Sequence, residues 1–369
     1  MAYATINKPN LHFNTVTWTG DSTTPKTITG VGFQPDLIWG KDRSMAYSHQ
    51  LFDAVRGFGS EKELTANATL AEGGQNADVY GYLSGVTADG FTTVKGSDAA
   101  GYDYWNESPD NYVAWNWKAN GAGISNTAGT ISSTVSANTT NGFSIVSWTG
   151  TGSNSDQTLG TGLSTALDFV IAKPRDSGGG TDSWLVYTSA ISLGQSQCYL
   201  LDQNSALISG ATNGTPNRGS TAGQLKLYAG SSGNQNLNAS GLKYIAYCFH
   251  SVKGFSKFGS YVGNGSTDGT FVYTGFKPAM VIAKASSTTG QWSICDNRRG
   301  TANTANGEFL FAESSEALNA ATNNWDFLSN GFKARANYAA HNTSGVTYIY
   351  MAFAENPLVG TNNVPATAR

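Results

Sequence analysis

Charge is scarce in this chain. Asp, Glu, Lys and Arg make up 13% of its 369 residues, against roughly a quarter in an average globular protein. Exposed helices carry such residues on their wet face, so long helices are not expected. The 22 basic residues are scattered and the net charge is −3. There is no basic stripe to neutralise phosphates, which argues against nucleic-acid binding. Cysteine is scarce too. Cys198, Cys248 and Cys295 fit no close-spaced metal pattern. Cys198 and Cys248 fall in one repeat and could meet there, but all three read as small buried hydrophobes. No apolar run approaches the roughly 20 residues of a membrane helix. The N-terminus lacks the basic and apolar layout of a signal peptide. The expectation is synthesis in a cytoplasm without membrane insertion. Heptads are missing as well, which argues against a coiled-coil stalk.

Gly, Ser, Thr and Asn take the place of charge, with 44 glycines. Together with Thr, Tyr, Phe, Trp and Val this is the composition of an all-β protein. Three segments repeat. They open with Phe13-Asn-Thr-Val-Thr-Trp18, Phe143-Ser-Ile-Val-Ser-Trp148 and Phe255-Ser-Lys-Phe-Gly-Ser-Tyr261, the last one residue longer. Each then carries an apolar block ending in a lysine: Lys41, Lys173 or Lys284. Each closes on Tyr112-Val-Ala-Trp-Asn-Trp117, Tyr244-Ile-Ala-Tyr-Cys-Phe249 or Tyr348-Ile-Tyr-Met-Ala-Phe353. Landmarks in one order at similar offsets indicate whole duplicated domains. Asp89-Gly90 and Asn330-Gly331 are tight-turn signals.

The fold expected is three tandem antiparallel β-sandwich modules, lectin-like or jelly-roll-like. They cover residues 1–118, 142–251 and 252–355, with a polar linker or edge strand at 119–141 and a tail at 356–369. The second and third modules should dock tightly, and the first should be more independent.

Chemistry-bearing residues are few. The stretch Gly101-Tyr102-Asp103-Tyr104-Trp105-Asn106-Glu107-Ser108-Pro109-Asp110 has no evident counterpart in the other repeats. Asp103, Glu107 and Asp110 are the acids a glycosidase would need, facing one another about 5–10 Å apart. Function is often grafted on such a loop. The loop is therefore the candidate ligand or partner contact, through Tyr102, Asp103, Tyr104, Trp105, Glu107 and Asp110. The simpler reading is a solvated aromatic loop. This loop, or Asp176 to Asp182, offers some oxygens for calcium, but neither follows a known calcium-loop spacing. His12, His49, His250 and His341 lie apart. No catalytic, cofactor or metal residues are assigned. Lys41, Lys173 and Lys284 read as strand-end charges that pair locally and guard against edge aggregation. Trp18, Trp148 and Tyr261 read as core aromatics, as do Trp115, Tyr247 and Tyr350.

The opening Met1-Ala-Tyr-Ala-Thr-Ile6, the block Ile28-Thr-Gly-Val-Gly-Phe-Gln-Pro-Asp-Leu-Ile-Trp39 and Leu51-Phe-Asp-Ala-Val-Arg-Gly57 resemble a family of tailed-phage virion proteins. That family is frequent in phages of marine bacteria and cyanobacteria. Tyr348-Ile-Tyr-Met-Ala-Phe-Ala-Glu355 and Val364-Pro-Ala-Thr-Ala-Arg369 resemble its C-terminus. The resemblance spans both ends and the repeats. It implies a virion structural or tail-fibre-like protein with lectin-like sandwich domains, and it supplies no catalytic residues. The second repeat departs from the pattern, with Leu163-Ser-Thr-Ala in place of the Gly-Phe-x-Pro turn. The expectation is a non-enzymatic, tail-associated or projecting virion protein. It would bind other particle proteins and host surface glycan, and form a homo-oligomer. The alternatives are a capsid decoration protein and, last, a glycan depolymerase.

Overall fold

The computed structural model describes residues 4–177, 182–194, 197–209, 216–217, 222–227, 237–300, 303, 307–321 and 325–359. The first repeat forms β1 (Phe13–Thr19), β2 (Lys26–Ile28), β3 (Leu37–Asp42), β4 (Gln50–Asp53), β5 (Leu64–Thr65), β6 (Tyr82–Thr87), β7 (Gly90–Val94) and β8 (Asn111–Trp117). These make a five-stranded sheet in the order β1-β8-β3-β4-β5 and a three-stranded sheet in the order β2-β7-β6. Val16, Ile38, Phe52 and Ala114 of the larger sheet pack on Ile28, Leu83 and Phe91 of the smaller. The Asp89 carboxylate pins the entry to this layer by accepting the Gly30 and Gly32 N–H groups at 3.0 and 2.6 Å. Both glycines have positive φ, which a side chain would strain.

The other two repeats use the same strand order. Phe143–Thr149 and Ser256–Val262 stand where β1 stands, Lys243–Phe249 and Thr347–Pro357 where β8 stands. Phe169–Pro174 and Phe276–Ala285 take the place of β3, and Leu185–Thr188 and Ser293–Asp296 that of β4. Each large sheet has its own three-stranded partner. All ladders are antiparallel, so the molecule is an all-β assembly of sandwiches. The 119–141 connection supplies β9 (Ile124–Asn126) and β10 (Ser133–Asn138), which extend the second large sheet beyond Phe143–Thr149.

The aromatic repeats fall in register. Trp18 pairs with Tyr112, Trp148 with Tyr244, and Tyr261 with Tyr348. Their rings stack at 5.2, 5.3 and 5.2 Å. Two positions differ from the sequence expectation. Ser256, not Phe255, occupies the slot of Phe13 and Phe143, because the extra residue shifts the third copy. Met351, not Tyr350, corresponds to Trp115 and Tyr247, and Tyr350 turns into its own sandwich.

The central strands are buried on both faces, as in β3 and Phe276–Ala285. The closing strands therefore do not alternate between core and water. One face meets the small sheet of the same repeat. The other meets the neighbouring repeats in a shared core holding Trp39, Trp115, Trp184, Trp292, Phe249 and Phe353. Burying such a side chain contributes about 2–3 kcal/mol. Phe353 reaches both other repeats, 4.8 Å from Phe13 and 5.9 Å from Phe249.

The seams between repeats are equivalent. Glu72 N–H donates to the Arg175 carbonyl at 2.8 Å, Leu207 to Ser286 at 3.2 Å and Leu318 to Arg43 at 2.9 Å. Each acceptor lies two residues past one of the three lysines. First bonds second, second bonds third, and third bonds first, so the ring closes about an approximate threefold axis. The first repeat is thus bound to both others, against the expectation of a looser first module. Indole donors repeat the pattern. Trp184 Nε1 donates to the Thr65 carbonyl at 2.7 Å and Trp292 Nε1 to the Leu200 carbonyl at 2.8 Å. His49 fills that slot in the first repeat beside the Phe311 carbonyl, although its Nε2 meets no partner in hydrogen-bond geometry.

Two seams carry a buried ion pair. Arg56 Nε meets Asp53 at 2.5 Å and Arg299 Nε meets Asp296 at 2.6 Å, with all four side chains at 0% exposure. Tyr247 OH of the second repeat donates to Asp53 at 2.9 Å, and Trp115 Nε1 of the first donates to Asp296 at 3.0 Å. At the third seam the donor position is Met351 and the acid position is Thr188. Donor and acid are present together or replaced together, as burial demands of a polar group.

Candidate functional site

The 101–110 loop leads into β8 and forms a corner. Tyr112 OH donates to the Asp103 carbonyl at 3.0 Å and accepts the Glu107 N–H at 2.8 Å. Trp18 Nε1 donates to the Trp105 carbonyl at 3.0 Å. Asn106 Nδ2 bonds the Thr23 carbonyl at 2.8 Å, and its Oδ1 accepts Asp21 N–H at 3.2 Å. The other repeats make the same corner. Tyr244 OH accepts Ala239 N–H at 2.9 Å and Tyr348 OH accepts Thr343 N–H at 2.8 Å. Trp148 donates to the Leu237 carbonyl and Tyr261 to the His341 carbonyl. Asn238 and Asn342 stand for Asn106. The loop therefore has structural counterparts, contrary to the sequence reading. The signal was an Asn-x-Ser triplet six residues before each closing tyrosine: Asn106, Asn238 and Asn342.

The six candidate residues divide by position. Trp105 and Asp103 are buried, 1% and 2% exposed. Trp105 Nε1 donates to Gln50 at 2.6 Å, and its ring packs on Phe52 and Phe91. Tyr102 is exposed, while Tyr104, Glu107 and Asp110 are half-buried. Asp42 and Tyr47, which the sequence reading left out, join them. Tyr47 OH donates to Glu107 at 3.3 Å, and its ring meets those of Tyr102 and Tyr104 edge-on. Asp42 bonds Asp110. Burial pushes Asp103 and Asp42 each up to about 6, and burial with the nearby Glu107 raises Asp110. The carboxylates also serve the backbone: Asp42 accepts Ser44 and Met45 N–H at 2.7 and 2.9 Å, and Asp103 accepts Trp105 N–H at 2.9 Å. What reaches water here is a tyrosine and carboxylate surface suited to contact.

Lys41, Lys173 and Lys284 do not guard an edge. Each lies on a central strand, at 2%, 0% and 0% exposure. Their ammonium groups serve carbonyls: Lys41 at Asp42 and Met45, Lys173 at Asp182, and Lys284 at Ala285 and Asn204. Asn204 lies in the preceding repeat, so this lysine also ties a seam. Burial lowers all three to about 8.

The sequence profile of a domain of unknown function, DUF7483, matches residues 8–357. The chain belongs to this family. No curated protein matches the sequence. A single profile across all three repeats agrees with the shared core, since no repeat is complete without the face its neighbours cover.

Within this DUF7483 domain Cys198 and Cys248 are buried and not bridged to each other. Burial pushes the Cys198 thiol up to about 12 and raises that of Cys248 further. Among the described residues no group of His, Cys, Asp and Glu is set to hold a metal, and no helix is long and apolar enough to cross a membrane. In the second calcium candidate, residues 178–181 lie outside the described residues. There Asp176 accepts the Lys243 N–H at 2.8 Å. The tail beyond residue 359 also lies outside them.

Proposed function

We propose that this chain is a non-enzymatic structural protein of a tailed-phage particle, projecting from the tail and binding particle partners and host surface glycan. The observation that carries the reading is where the repeated polar residues go. The corner asparagines, Lys41 and Lys173 brace their own repeats, while Lys284 and the buried acid–arginine pairs tie the seams, as a rigid scaffold requires. Contact chemistry is left to outer loops, the usual division on such scaffolds. The sequence resemblance to virion proteins points the same way, and homo-oligomers of the ring would suit a projecting structure. A second reading, capsid decoration, is favoured by the approximate threefold arrangement, which fits a threefold position on a shell. A depolymerase would depend on Asp103, Glu107 and Asp110, all three of which support the backbone or share a hydrogen bond with another acid. The test is the copy number of this chain per purified virion, by quantitative mass spectrometry against the major capsid protein. A few to a few tens of copies supports the tail reading. A simple fraction of the capsid subunits supports decoration. Absence from purified particles overturns both.

A further inference from the structure

The repeats act as internal controls for one another, and they disagree at one exposed place. In the smaller sheets, Ile28, Leu159 and Val272 face the equivalent partners Phe91, Leu225 and Phe332. These three are core positions. The flanking residues are exposed in the first and third repeats, as Thr27 and Thr29 in the first but Phe271 and Tyr273 in the third. In the second repeat the matching Thr158 and Gly160 lie beneath the 126–130 segment, where Thr130 bonds Thr158. Phe271 is 42% exposed and Tyr273 is 52% exposed. Two exposed aromatic rings on one face of a strand are not required by the fold, since the first repeat leaves threonines exposed at the same two positions. Exposed aromatic groups of this kind mark contact sites.

Tyr273 also forms a wall of a cleft of 530 Å³, whose other walls include Ser251, Lys253, Lys257, Thr274 and Leu358. That size suits a small ligand or the end of a longer one. Lys257 donates to the Tyr273 carbonyl at 2.7 Å and lies 5.4 Å from the centre of its ring. Among the described residues no carboxylate lines the cleft. Beside the cleft, Asp168 accepts Ser251 N–H at 2.7 Å and Ser189 OH at 2.8 Å, and Glu355 pairs with Lys277 at 3.1 Å. An aromatic wall, hydroxyls and the Lys257 ammonium group match a ligand with a hydrocarbon ring face, several hydroxyls and a negative charge.

We propose that the third repeat binds acidic carbohydrate, a hexuronic-acid type of sugar unit, in the cleft walled by Tyr273 and Lys257, with Phe271 extending the platform. The proposal deepens the glycan-binding part of the function given above, and it is tested separately from the copy number, on the purified full-length chain. Titration calorimetry compares an oligomer of hexuronic acid with a neutral glucose oligomer of equal length. The acidic oligomer is expected to bind better. The double variant Phe271→Thr with Tyr273→Thr, which writes in the first repeat's residues, should bind it at least about tenfold more weakly with unchanged thermal unfolding. Lys257→Gln should narrow the preference for acid over neutral sugar. Three results would overturn the site: no binding by the native chain, equal binding by the double variant, or preference for the neutral oligomer. If the double variant instead loses incorporation into particles while sugar binding is absent, the patch is a protein contact and the proposal fails.

Discussion

Replacing Asp53 by Asn tests whether the three sandwiches unfold as one body. The Asp53 carboxylate is fully buried, pairs with Arg56 at 2.5 Å and accepts Tyr247 OH from the second repeat at 2.9 Å. Asn keeps the shape and removes the charge, leaving the Arg56 guanidinium with carbonyls and the more distant Glu72 carboxylate at 3.7 Å. Breaking a buried pair from one side costs about 3–5 kcal/mol. The lower figure applies because Asn still accepts a hydrogen bond. With an unfolding entropy of about 2.1 cal/mol/K per residue, the whole chain melts with about 0.8 kcal/mol/K, so Tm should fall by about 4 °C in a single transition. Were the first repeat to melt alone, its entropy would be about a third as large. The shift would then be about 12 °C, in a separate early transition. Differential scanning calorimetry distinguishes the two. A split transition, or a shift under about 1 °C, would refute the shared-core reasoning. Asp296→Asn should behave alike at the next seam.

Three other outcomes follow from the buried groups. Lys41, Lys173 and Lys284 sit near 8 when folded, against 10.5 when unfolded. Below pH 8 both states hold the proton and the burial penalty is complete; between pH 8 and 10.5 the folded state loses it first. Stability should therefore rise from pH 7.5 to 9.5, by about 1–2 kcal/mol per lysine, and Lys284→Met should make the rise in the urea midpoint shallower. Asn342→Ala removes bonds to Asn264, Ser266 and Ala336 and should cost about 2–3 kcal/mol in denaturant unfolding. A thiol reagent should leave Cys198 and Cys248 unmodified in the native protein at pH 8 and modify both in urea; rapid native labelling would contradict their burial.

The sandwiches were legible because strand cores are local patterns. Trp18 with Tyr112 and Trp148 with Tyr244 are written into segments whose order repeats. The ring was not legible, because its contacts join residues far apart in the chain: Trp115 to Asp296, Tyr247 to Asp53. A strand buried on both faces also reads like one buried on one face with a few extra apolar residues. That ambiguity hid the central place of Lys41 and its two equivalents, since a lysine at a strand end looks solvated until neighbouring carbonyls are known. The 101–110 loop misled in the opposite direction. Its tyrosines and acids differ from the other copies, but the asparagine and backbone bonds beneath them do not. Asp42 and Tyr47 joined that surface without any local signal, because they come from the far end of β3 and the turn after it.

Three separate chains closing the same ring would fall apart on dilution, since subunit association depends on concentration. Here the seam from Leu318 back to Arg43 joins parts of one polypeptide, so the effective concentration of each sandwich for its neighbours is fixed by the connections. The ring should persist at any dilution. Fusion also frees each copy to change alone. A substitution on a homotrimer appears three times, whereas one on this chain appears once, and so a single outer face can acquire aromatic residues while the first repeat keeps threonine there.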